Sequence, residues 1–359
     1  MENKNELFEK IFILKNIIEK LKKEGILKEK IEFPSICVIG GVNFGKSSVL
    51  ESILNLNILP IGDGRITRCP IEINLNHINS EESYAIFENI KYDDFSKLKD
   101  ELYNHLSNLA KNDSIEKTQM TINIYSKNYP DLKLIDLPGF NRIPPGQVPK
   151  FTEEYPIRIA ENYINNPLNI LLCVIPANGI SNSPSDYSLV GLKIASEMSS
   201  FSQYPNNLRK LGVLTKIEIM DVNNDVRNFL LNKEIPIELG YIGVIYRNKK
   251  EMFNNISKED ILKKEKDFFN SQKQYNDLPK DLLGNEALIK KISKIFFKLI
   301  KDNFIKSYNK EEKLKELVDF LEENSLKDDE INYINKKIEK TEEKTSSDKK
   351  VKKYGNLFG

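Results

Sequence analysis

Residues 35–47 read SICVIGGVNFGKS, and the architecture of this 359-residue chain follows from them. The run 35–39 is short and apolar, as in a buried parallel strand. Residues 40–47 fit the pattern G-x-x-x-x-G-K-S, and the segment 48–54 that follows reads as a helix. A strand, a glycine-rich turn and a helix in this order predict a loop that wraps phosphate groups.

The residue types in this loop suit phosphate chemistry. Gly40 and Gly45 let the backbone turn and approach phosphate oxygens without a Cβ atom. The loop amides and the N-terminus of the following helix then point at the anion. We expect the Lys46 ammonium group to bridge the β- and γ-phosphates and the Ser47 hydroxyl group to ligate Mg²⁺. A chance match in an ordinary strand–helix turn is the alternative.

Further apolar runs share the character of the run 35–39. They lie at 132–135, 170–175, 211–214 and 241–245. Longer segments between them, such as 92–112 and 152–166, read as surface helices. Strands that alternate with helices predict an α/β fold with a mostly parallel central sheet flanked by helices. The stretch 76–128 is polar and shows no clear period.

Composition excludes several other kinds of chemistry. The chain has 54 Lys and Arg against 53 Asp and Glu, so no overall charge favours an anionic membrane or nucleic acid, and we expect no nucleic-acid partner. Its 2 His and 3 Cys argue against a His-based triad, a His-rich metal site and a disulfide framework. No apolar run approaches the ~20 residues of a membrane span, and the N-terminus lacks a secretory signal. We therefore expect a soluble cytoplasmic protein.

Two motifs add the groups that a bound triphosphate and its metal ion need. Asp136 and Gly139 belong to the sequence DLPG, which follows the run 132–135. An Asp at a strand end reaches Mg²⁺ through its water shell, and a Gly three residues later donates its amide to the γ-phosphate. Thr67 lies in a glycine-rich loop, where it either closes over Mg²⁺ and the γ-phosphate or is simply a polar loop residue.

The sequence TKIE at 215–218 predicts which base is bound. The stem of Lys216 can pack along the plane of a base. The Glu218 carboxylate can accept two hydrogen bonds from N1 and N2 of guanine, whereas adenine offers no such pair of donors. These residues favour GTP, and ATP is kept as an alternative, given Glu218 and Tyr246.

Taken together, the motifs resemble the GTPase domain of the dynamin superfamily over about 7–307. The segments that carry the resemblance are GGVNFGKSSVLE (40–51), LPIGDGRITRCP (59–70), KLIDLPG (133–139), IPAN (175–178), GVLTKIEIMD (212–221) and GYIGVIYRNKKE (240–251). The resemblance implies a P-loop GTPase fold that binds GTP or GDP with Mg²⁺ and hydrolyses GTP. It also implies a nucleotide-dependent homodimer through the GTPase face, coupled to membrane remodelling or organelle division.

The resemblance assigns roles to individual residues. The catalytic residues are Lys46, Thr67 and Gly139, and the metal-binding residues are Ser47, Thr67 and Asp136. The nucleotide-binding residues are Gly40, Asn43, Gly45, Lys46, Ser47, Ser48, Thr67, Gly139, Thr215, Lys216, Glu218, Tyr246 and Arg247. In this assignment Tyr246 stacks on the base and Arg247 contacts the ribose.

The resemblance further implies a domain organisation. An N-terminal helix in 1–32 joins C-terminal helices in a bundle beside the GTPase domain 33–285. The segment 286–340 holds these C-terminal bundle helices and a stub of the family's stalk, and the charged tail 341–359 is expected to be mobile. Apolar stripes that neither end can bury alone support the bundle, and they comprise Leu7, Ile11, Leu14, Ile18, Leu21, Leu288, Ile292, Ile295 and Leu299. Separate packing of the two helices on the domain is the alternative. Any association with an organelle or vesicle membrane is expected to be peripheral, and indirect or through regions outside this chain.

The sequence departs from the family at several positions. Val42 and Asn43 stand where relatives carry Gln and Ser, which orient the attacking water, and Ile180 stands where an Asp acts across the dimer interface. Tyr246 stands in place of Asn, and Glu218 in place of Asp. Because the phosphate and Mg²⁺ contacts are spared, we expect nucleotide binding with slow hydrolysis. The alternative is a GTP-binding switch or scaffold that hydrolyses GTP weakly or not at all.

Overall fold

The computed structural model describes residues 5–23, 32–60, 67, 69–111, 119–140, 150–180, 187–200, 209–220, 226–247, 251 and 256–307. The chain divides into a unit of Met1–Phe296 and a unit of Phe297–Gly359. The sheet and the candidate site both lie in the first unit. Strands alternate with helices along that unit, as the sequence predicts.

One sheet forms the centre of the first unit. The strands within the described ranges are β1 (Ser35–Ile39), β2 (Ile71–His77), β3 (Tyr84–Phe87), β4 (Ile90–Tyr92), β5 (Met120–Ser126), β6 (Leu132–Asp136), β7 (Asn169–Pro176), β8 (Lys210–Thr215) and β9 (Tyr241–Gly243). Their order across the sheet is β4-β3-β5-β2-β6-β1-β7-β8-β9. Pairing is parallel from β6 through β1, β7 and β8 to β9, and antiparallel between β2 and β6 and around β3. The predicted mostly parallel sheet is confirmed.

Helices flank this sheet. Those in the described part of the chain are α1 (Glu6–Lys23), α2 (Lys46–Leu54), α3 (Phe95–Lys111), α4 (Lys150–Ile164), α5 (Val190–Ser200), α6 (Arg227–Leu230), α7 (Lys258–Ser271) and α8 (Asn285–Ser307). α2 contacts β1 and β6, α5 contacts β7 and β8, and α3 contacts β3 and β4. The surface helices predicted at 92–112 and 152–166 correspond to α3 and α4.

The parallel strands bring the loops that follow them to one edge of the sheet. Val38 of β1 lies beside Asp136 of β6 and Leu172 of β7 in the strand register. Every residue of β7 is buried, which explains its continuous apolar run. Since the carboxyl ends of parallel strands meet, the phosphate loop after β1 and the DLPG motif after β6 become neighbours.

The stretch 76–128 contains the end of β2, all of β3, β4 and α3, and β5. Its strands lack long apolar runs because one of their faces is only partly buried, as the alternation along β5 indicates. On that face Asn74 Nδ2 donates to Asn123 Oδ1 at 3.0 Å, and the rings of Tyr84 and Tyr125 stack with centroids 4.8 Å apart. Polar and aromatic cross-strand pairs therefore replace part of the apolar packing there.

Helix α1 packs against the sheet end formed by β2 and the β5–β6 turn. Phe8 contacts Tyr129, and Phe12 contacts His77, each in an edge-to-face arrangement with centroids 5.6 and 4.9 Å apart. The predicted apolar stripe of α1 is buried at Leu7, Ile11, Leu14 and Ile18. In the first unit α8 likewise buries Leu288, Ile292 and Ile295.

Some predictions concern residues that the structure does not describe. The tail 341–359 and the helices that the sequence predicts after Ser307 lie outside the described residues. The bundle and the domain boundaries at 32, 285 and 340 therefore stay predictions. Among the helices within the described ranges, none combines the length and apolar character that a bilayer crossing needs.

Candidate nucleotide-binding site

The loop between β1 and α2 follows a course that glycine permits. Gly45 immediately precedes α2 with φ of +97°, a conformation that L side chains rarely adopt. A Cβ on Gly40 would lie 2.6 Å from the Val174 carbonyl oxygen, so β7 leaves no room for a side chain there. Asn43 is exposed and has φ of +63°. The two predicted glycine positions are thus fixed by the turn into α2 and by the contact with β7.

Lys46 begins α2, and its side chain folds back over the loop. The residue is 7% exposed, and Nζ donates a hydrogen bond to the Gly41 carbonyl oxygen at 3.0 Å. Burial raises the pKa of the nearby Asp136 carboxyl group, and the positive charge of Lys46 opposes that rise. An ammonium group held against its own glycine-rich loop is suitably placed for a phosphate anion.

Asp136 ends β6 and draws two hydroxyl groups together. Its Oδ2 accepts hydrogen bonds from Ser47 Oγ at 2.6 Å and from Thr67 Oγ1 at 3.4 Å. Its Oδ1 is buried and has no hydrogen-bond partner among the described residues. Burial raises the pKa of this carboxyl group, and the charge of Lys46 and the two hydroxyl donors act against that rise. The three predicted metal-binding residues therefore form one cluster of oxygen atoms, the kind of ligand that Mg²⁺ prefers.

The end of the DLPG motif lies directly on the phosphate loop. The Val42 amide donates to the Phe140 carbonyl oxygen at 2.9 Å, and the Phe140 amide donates to the Gly40 carbonyl oxygen at 3.2 Å. A Cβ on Gly139 would lie 2.8 Å from the Val42 amide nitrogen and 2.9 Å from Lys46 Nζ. The Gly139 position thus accepts no side chain and lies beside the lysine ammonium group.

Thr215, at the end of β8, contacts the backbone of the phosphate loop. Its hydroxyl group donates to the Phe44 carbonyl oxygen at 2.7 Å, and its side chain would be 3.6 Å from a Cβ placed on Gly45. The sequence assigned Thr215 to nucleotide binding. In the structure its hydroxyl group holds the backbone of the phosphate loop, and its contact with nucleotide stays a prediction.

The residues predicted to bind the base follow Thr215. Lys216 has φ of +60° and precedes the 3₁₀ turn Ile217–Ile219. Glu218 Oε2 is buried and lacks a hydrogen-bond partner in the described part of the chain. Burial raises the pKa of the Glu218 carboxyl group, and the charges of Lys264 and Lys216 oppose the rise. A buried carboxylate oxygen in need of donors matches the N1 and N2 hydrogens of guanine.

Tyr246 and Arg247 follow β9, close to the phosphate helix α2. The Tyr246 hydroxyl group is buried near Glu265, and its pKa is raised by that burial. The hydroxyl group therefore points into the protein, which leaves the ring as the part available to a base. Arg247 is partly buried, and its charge opposes the rise in pKa that burial causes at Glu51. Ser48, in the first turn of α2, is partly exposed.

Sequence reasoning did not identify Glu51, although it is the one acidic residue in the helix KSSVLESIL. Its Oε1 accepts the Leu59 amide at 2.9 Å, and burial raises its pKa to about 7. The carboxyl group thus ties α2 to the segment that leads towards Thr67. A single acid among the apolar residues Val49, Leu50, Ile53 and Leu54 was the signal that could have revealed it.

The structure describes the surroundings of two residues at which the sequence departs from the family, Val42 and Ile180. Val42 is partly buried, and its amide is bonded to Phe140. Ile180 is partly buried and packs against the hydrophobic core, so it offers no polar group to a second chain.

Comparison with known proteins identifies the family. The family model described as Dynamin family matches residues 36–217, just over half of the chain, and that described as Dynamin central region matches residues 225–348. The chain belongs to the dynamin family. The resemblance drawn from the motifs is thereby confirmed.

Several dynamin-family proteins are similar to this chain. Dynamin-related protein 3B from Arabidopsis thaliana is 33% identical over 285 residues, which cover 76% of this chain and 35% of that protein. Dynamin-2 from Bos taurus is 33% identical over 268 residues, with 73% and 29% covered. Dynamin-1-like protein from Danio rerio is 31% identical over 290 residues, with 76% and 40% covered. This dynamin-family chain spans about a third of the length of the curated relatives it matches.

Proposed function

We propose that this dynamin-family chain binds GTP with Mg²⁺ and hydrolyses it to GDP and phosphate. The observation that carries the proposal is the buried Asp136 carboxylate. Two hydroxyl groups donate to one of its oxygens, and the other has no partner among the residues that the structure describes. A buried charge of this kind is unfavourable unless a cation or further donors satisfy it. Mg²⁺ and its water shell would provide both.

Each residue of the cluster has a defined part in this proposal. The Ser47 and Thr67 hydroxyl groups would hold Mg²⁺, and Asp136 would accept hydrogen bonds from its water shell. Lys46 would bind the β- and γ-phosphates, and the Gly139 amide would donate to the γ-phosphate. Bound Mg²⁺ neutralises charge on the phosphate oxygens during transfer to water. The contribution of the chain is to bind and orient the triphosphate.

The choice of guanine rests on Glu218. Its buried oxygen needs hydrogen-bond donors, and guanine presents them at N1 and N2. Adenine presents an acceptor at N1, which would face the carboxylate unfavourably. GTP is therefore the proposed substrate, and ATP binding is the outcome that would overturn this part of the proposal.

One observation favours a second candidate function, a GTP-binding switch or scaffold with little turnover. Val42 has no side-chain group that could orient water, and its amide already donates to Phe140. Loss of one water-orienting group costs roughly 10²-fold or more in rate. Ile180 adds to this case because it packs into the core.

Phosphate release under multiple turnover distinguishes the two candidates. We expect the wild-type chain to exceed Lys46→Ala, and Val42→Gln to exceed wild type by about tenfold or more, since an amide side chain regains a group that can orient water. Lys46→Ala is the background control, because it removes the phosphate-binding charge. A wild-type rate no greater than that of Lys46→Ala, with nucleotide bound, would select the switch.

We further propose that nucleotide-bound chains pair through the GTPase face, and that the protein acts in membrane remodelling or organelle division, peripherally at a membrane. Family membership supports this proposal, and the membrane contact is proposed to be indirect or through regions outside this chain. Mass measurement with GDP, a GTP analogue and a transition-state mimic tests the pairing. A dimer with the mimic is expected, and a monomer in every state would contradict dimer-activated hydrolysis.

A further inference from the structure

An aromatic pair links the phosphate loop to the segment that begins α5. Phe44 lies inside the loop, is 7% exposed, and meets Tyr187 edge to face with ring centroids 5.6 Å apart. Tyr187 opens the short 3₁₀ turn Tyr187–Leu189 directly before α5. A Cβ on Gly41 would lie 2.5 Å from the Phe44 ring, so this ring packs on the loop backbone itself. The pair therefore anchors Tyr187 to the loop.

The hydroxyl group of Tyr187 reaches a third segment. It donates a hydrogen bond to the carbonyl oxygen of Phe140, the residue that follows the DLPG motif. The same oxygen accepts the Val42 amide at 2.9 Å, and the Phe140 amide donates to the Gly40 carbonyl oxygen at 3.2 Å. Two backbone hydrogen bonds thus tie Phe140 to the phosphate loop, and one side-chain hydrogen bond ties it to Tyr187.

These hydrogen bonds determine where the preceding residue lies. A Cβ on Gly139 would be 2.8 Å from the Val42 amide nitrogen and 2.9 Å from Lys46 Nζ. Contacts within the chain therefore hold the Gly139 backbone beside the ammonium group. Tyr187 is the one side chain that donates to the Phe140 carbonyl oxygen among the described hydrogen bonds.

We infer that Tyr187 is a positioning residue that sets the preference of this site for a nucleoside triphosphate over a diphosphate. The inference rests on the proposed function, in which the Gly139 amide contacts the γ-phosphate. A donor that is already held in place loses less conformational entropy when it binds its acceptor. Only the triphosphate carries a γ-phosphate, so a looser Phe140 weakens triphosphate binding and leaves diphosphate binding unchanged.

The substitution Tyr187→Phe removes the hydroxyl group and keeps the ring against Phe44. Dissociation constants are measured with Mg²⁺ for GDP and for a slowly hydrolysed GTP analogue. We expect the preference for the analogue to fall roughly three- to tenfold, the effect of one hydrogen bond, with GDP affinity within about twofold of wild type. Tyr129→Phe is the matched control, because its hydroxyl group donates to a different backbone carbonyl, that of Leu54 at 3.1 Å.

Amide hydrogen exchange provides a second readout. The Phe140 amide should exchange faster in Tyr187→Phe than in wild type and should be unaffected in Tyr129→Phe. An unchanged preference, or an equal loss for both nucleotides, overturns the inference and leaves the proposed function standing. If the folded wild-type chain binds neither nucleotide, the proposed function and the inference fail together.

Discussion

Among the described residues, the four carboxyl groups whose pKa is raised by burial fall into two kinds. Burial raises the pKa of Asp136, Glu218, Glu51 and Glu265 alike. Glu51 and Glu265 accept hydrogen bonds from backbone amides, so they hold the structure together. Asp136 and Glu218 each have one oxygen without a hydrogen-bond partner in the described part of the chain. The unpartnered oxygens of Asp136 and Glu218 match the donors or cation of a ligand, whereas Glu51 and Glu265 already have donors within the protein.

Glu218 is predicted to select guanine. Glu218→Ala should lower the affinity for GDP by about tenfold or more, because a hydrogen bond to a charged acceptor is lost. It should leave the weak affinity for ADP unchanged, because adenine has no donor pair for this residue. Competition against a fluorescent nucleotide measures both affinities, with the exposed Glu259→Ala as control. Equal competition by ADP and GDP in the wild-type chain would contradict the prediction.

Glu51 is predicted to make the stability of the domain depend on pH. Its pKa is raised from 4.5 to about 7 in the folded chain, so between these values the folded state binds more protons than the unfolded state. The stability that the protonated Glu51 provides is complete below about pH 4.5 and is lost as the pH rises through about 7, by up to about 3 kcal/mol.

Glu51→Gln tests this dependence, since glutamine keeps an acceptor for the Leu59 amide and does not ionise. Urea unfolding measures the free energy of unfolding at pH 5 and at pH 7.5. Between these two pH values, that free energy should fall less in Glu51→Gln than in wild type. The exposed Glu101→Gln serves as control. An equal loss in Glu51→Gln and in wild type would mean that Glu51 does not cause the dependence.

Helix α1 is fastened to the sheet at the β5–β6 turn. Asp131 in that turn accepts a hydrogen bond from Lys15 Nζ at 2.7 Å through Oδ2, and from the His77 amide at 2.8 Å through Oδ1. The ring contacts of Phe8 and Phe12 lie on the same side of α1. One carboxylate therefore joins the helix to the end of β2.

Asp131→Ala should loosen α1 without unfolding the sheet. The loss of one ion pair and one hydrogen bond should cost about 1–2 kcal/mol. Amide hydrogen exchange should rise in Glu6–Lys23 and stay unchanged in β7. Asp93→Ala, which removes only the exposed pair with Lys91, is the matched control. Unchanged exchange in α1 would contradict the role given to Asp131.

Asn285, the first residue of α8, is linked by hydrogen bonds to two segments of the candidate site. The Glu265 carboxylate on α7 accepts the amides of Ile245 and Asn285, each at 2.8 Å, and a negative charge at a helix N-terminus is favourable. The Asn285 side chain accepts a hydrogen bond from Ser52 of α2. Helix α8 therefore begins at a residue bonded to the phosphate helix and, through Glu265, to the segment before Tyr246.

The two halves of the sheet differ in how far the sequence predicts them. β1 and β6–β9 are buried strands, so their apolar runs reveal them. β5 alternates buried residues with partly exposed ones such as Tyr125, and β2 does so only around Asn74, so neither strand forms a continuous apolar run. The antiparallel pairing of β2 with β6 depends on contacts between distant segments, which no local pattern encodes.

The candidate site divides in the same way. Lys46, Ser47 and Asp136 could be predicted because their spacing follows directly from a loop, a helix start and a strand end. Tyr187 could not be predicted, because Tyr187, Phe44 and Phe140 lie in three separate segments that only the fold brings together. Motifs therefore predict the residues that would contact a ligand, whereas the residues that would position them become visible only in the folded structure.

The central claim is that the loop after β1 binds GTP together with Mg²⁺. Isothermal titration of the folded chain with a slowly hydrolysed GTP analogue and Mg²⁺ tests it most directly, with Lys46→Ala as control. We predict saturable heat with one nucleotide per chain, abolished in Lys46→Ala and weakened when Mg²⁺ is chelated. The absence of saturable heat from well-folded wild-type protein would contradict the claim.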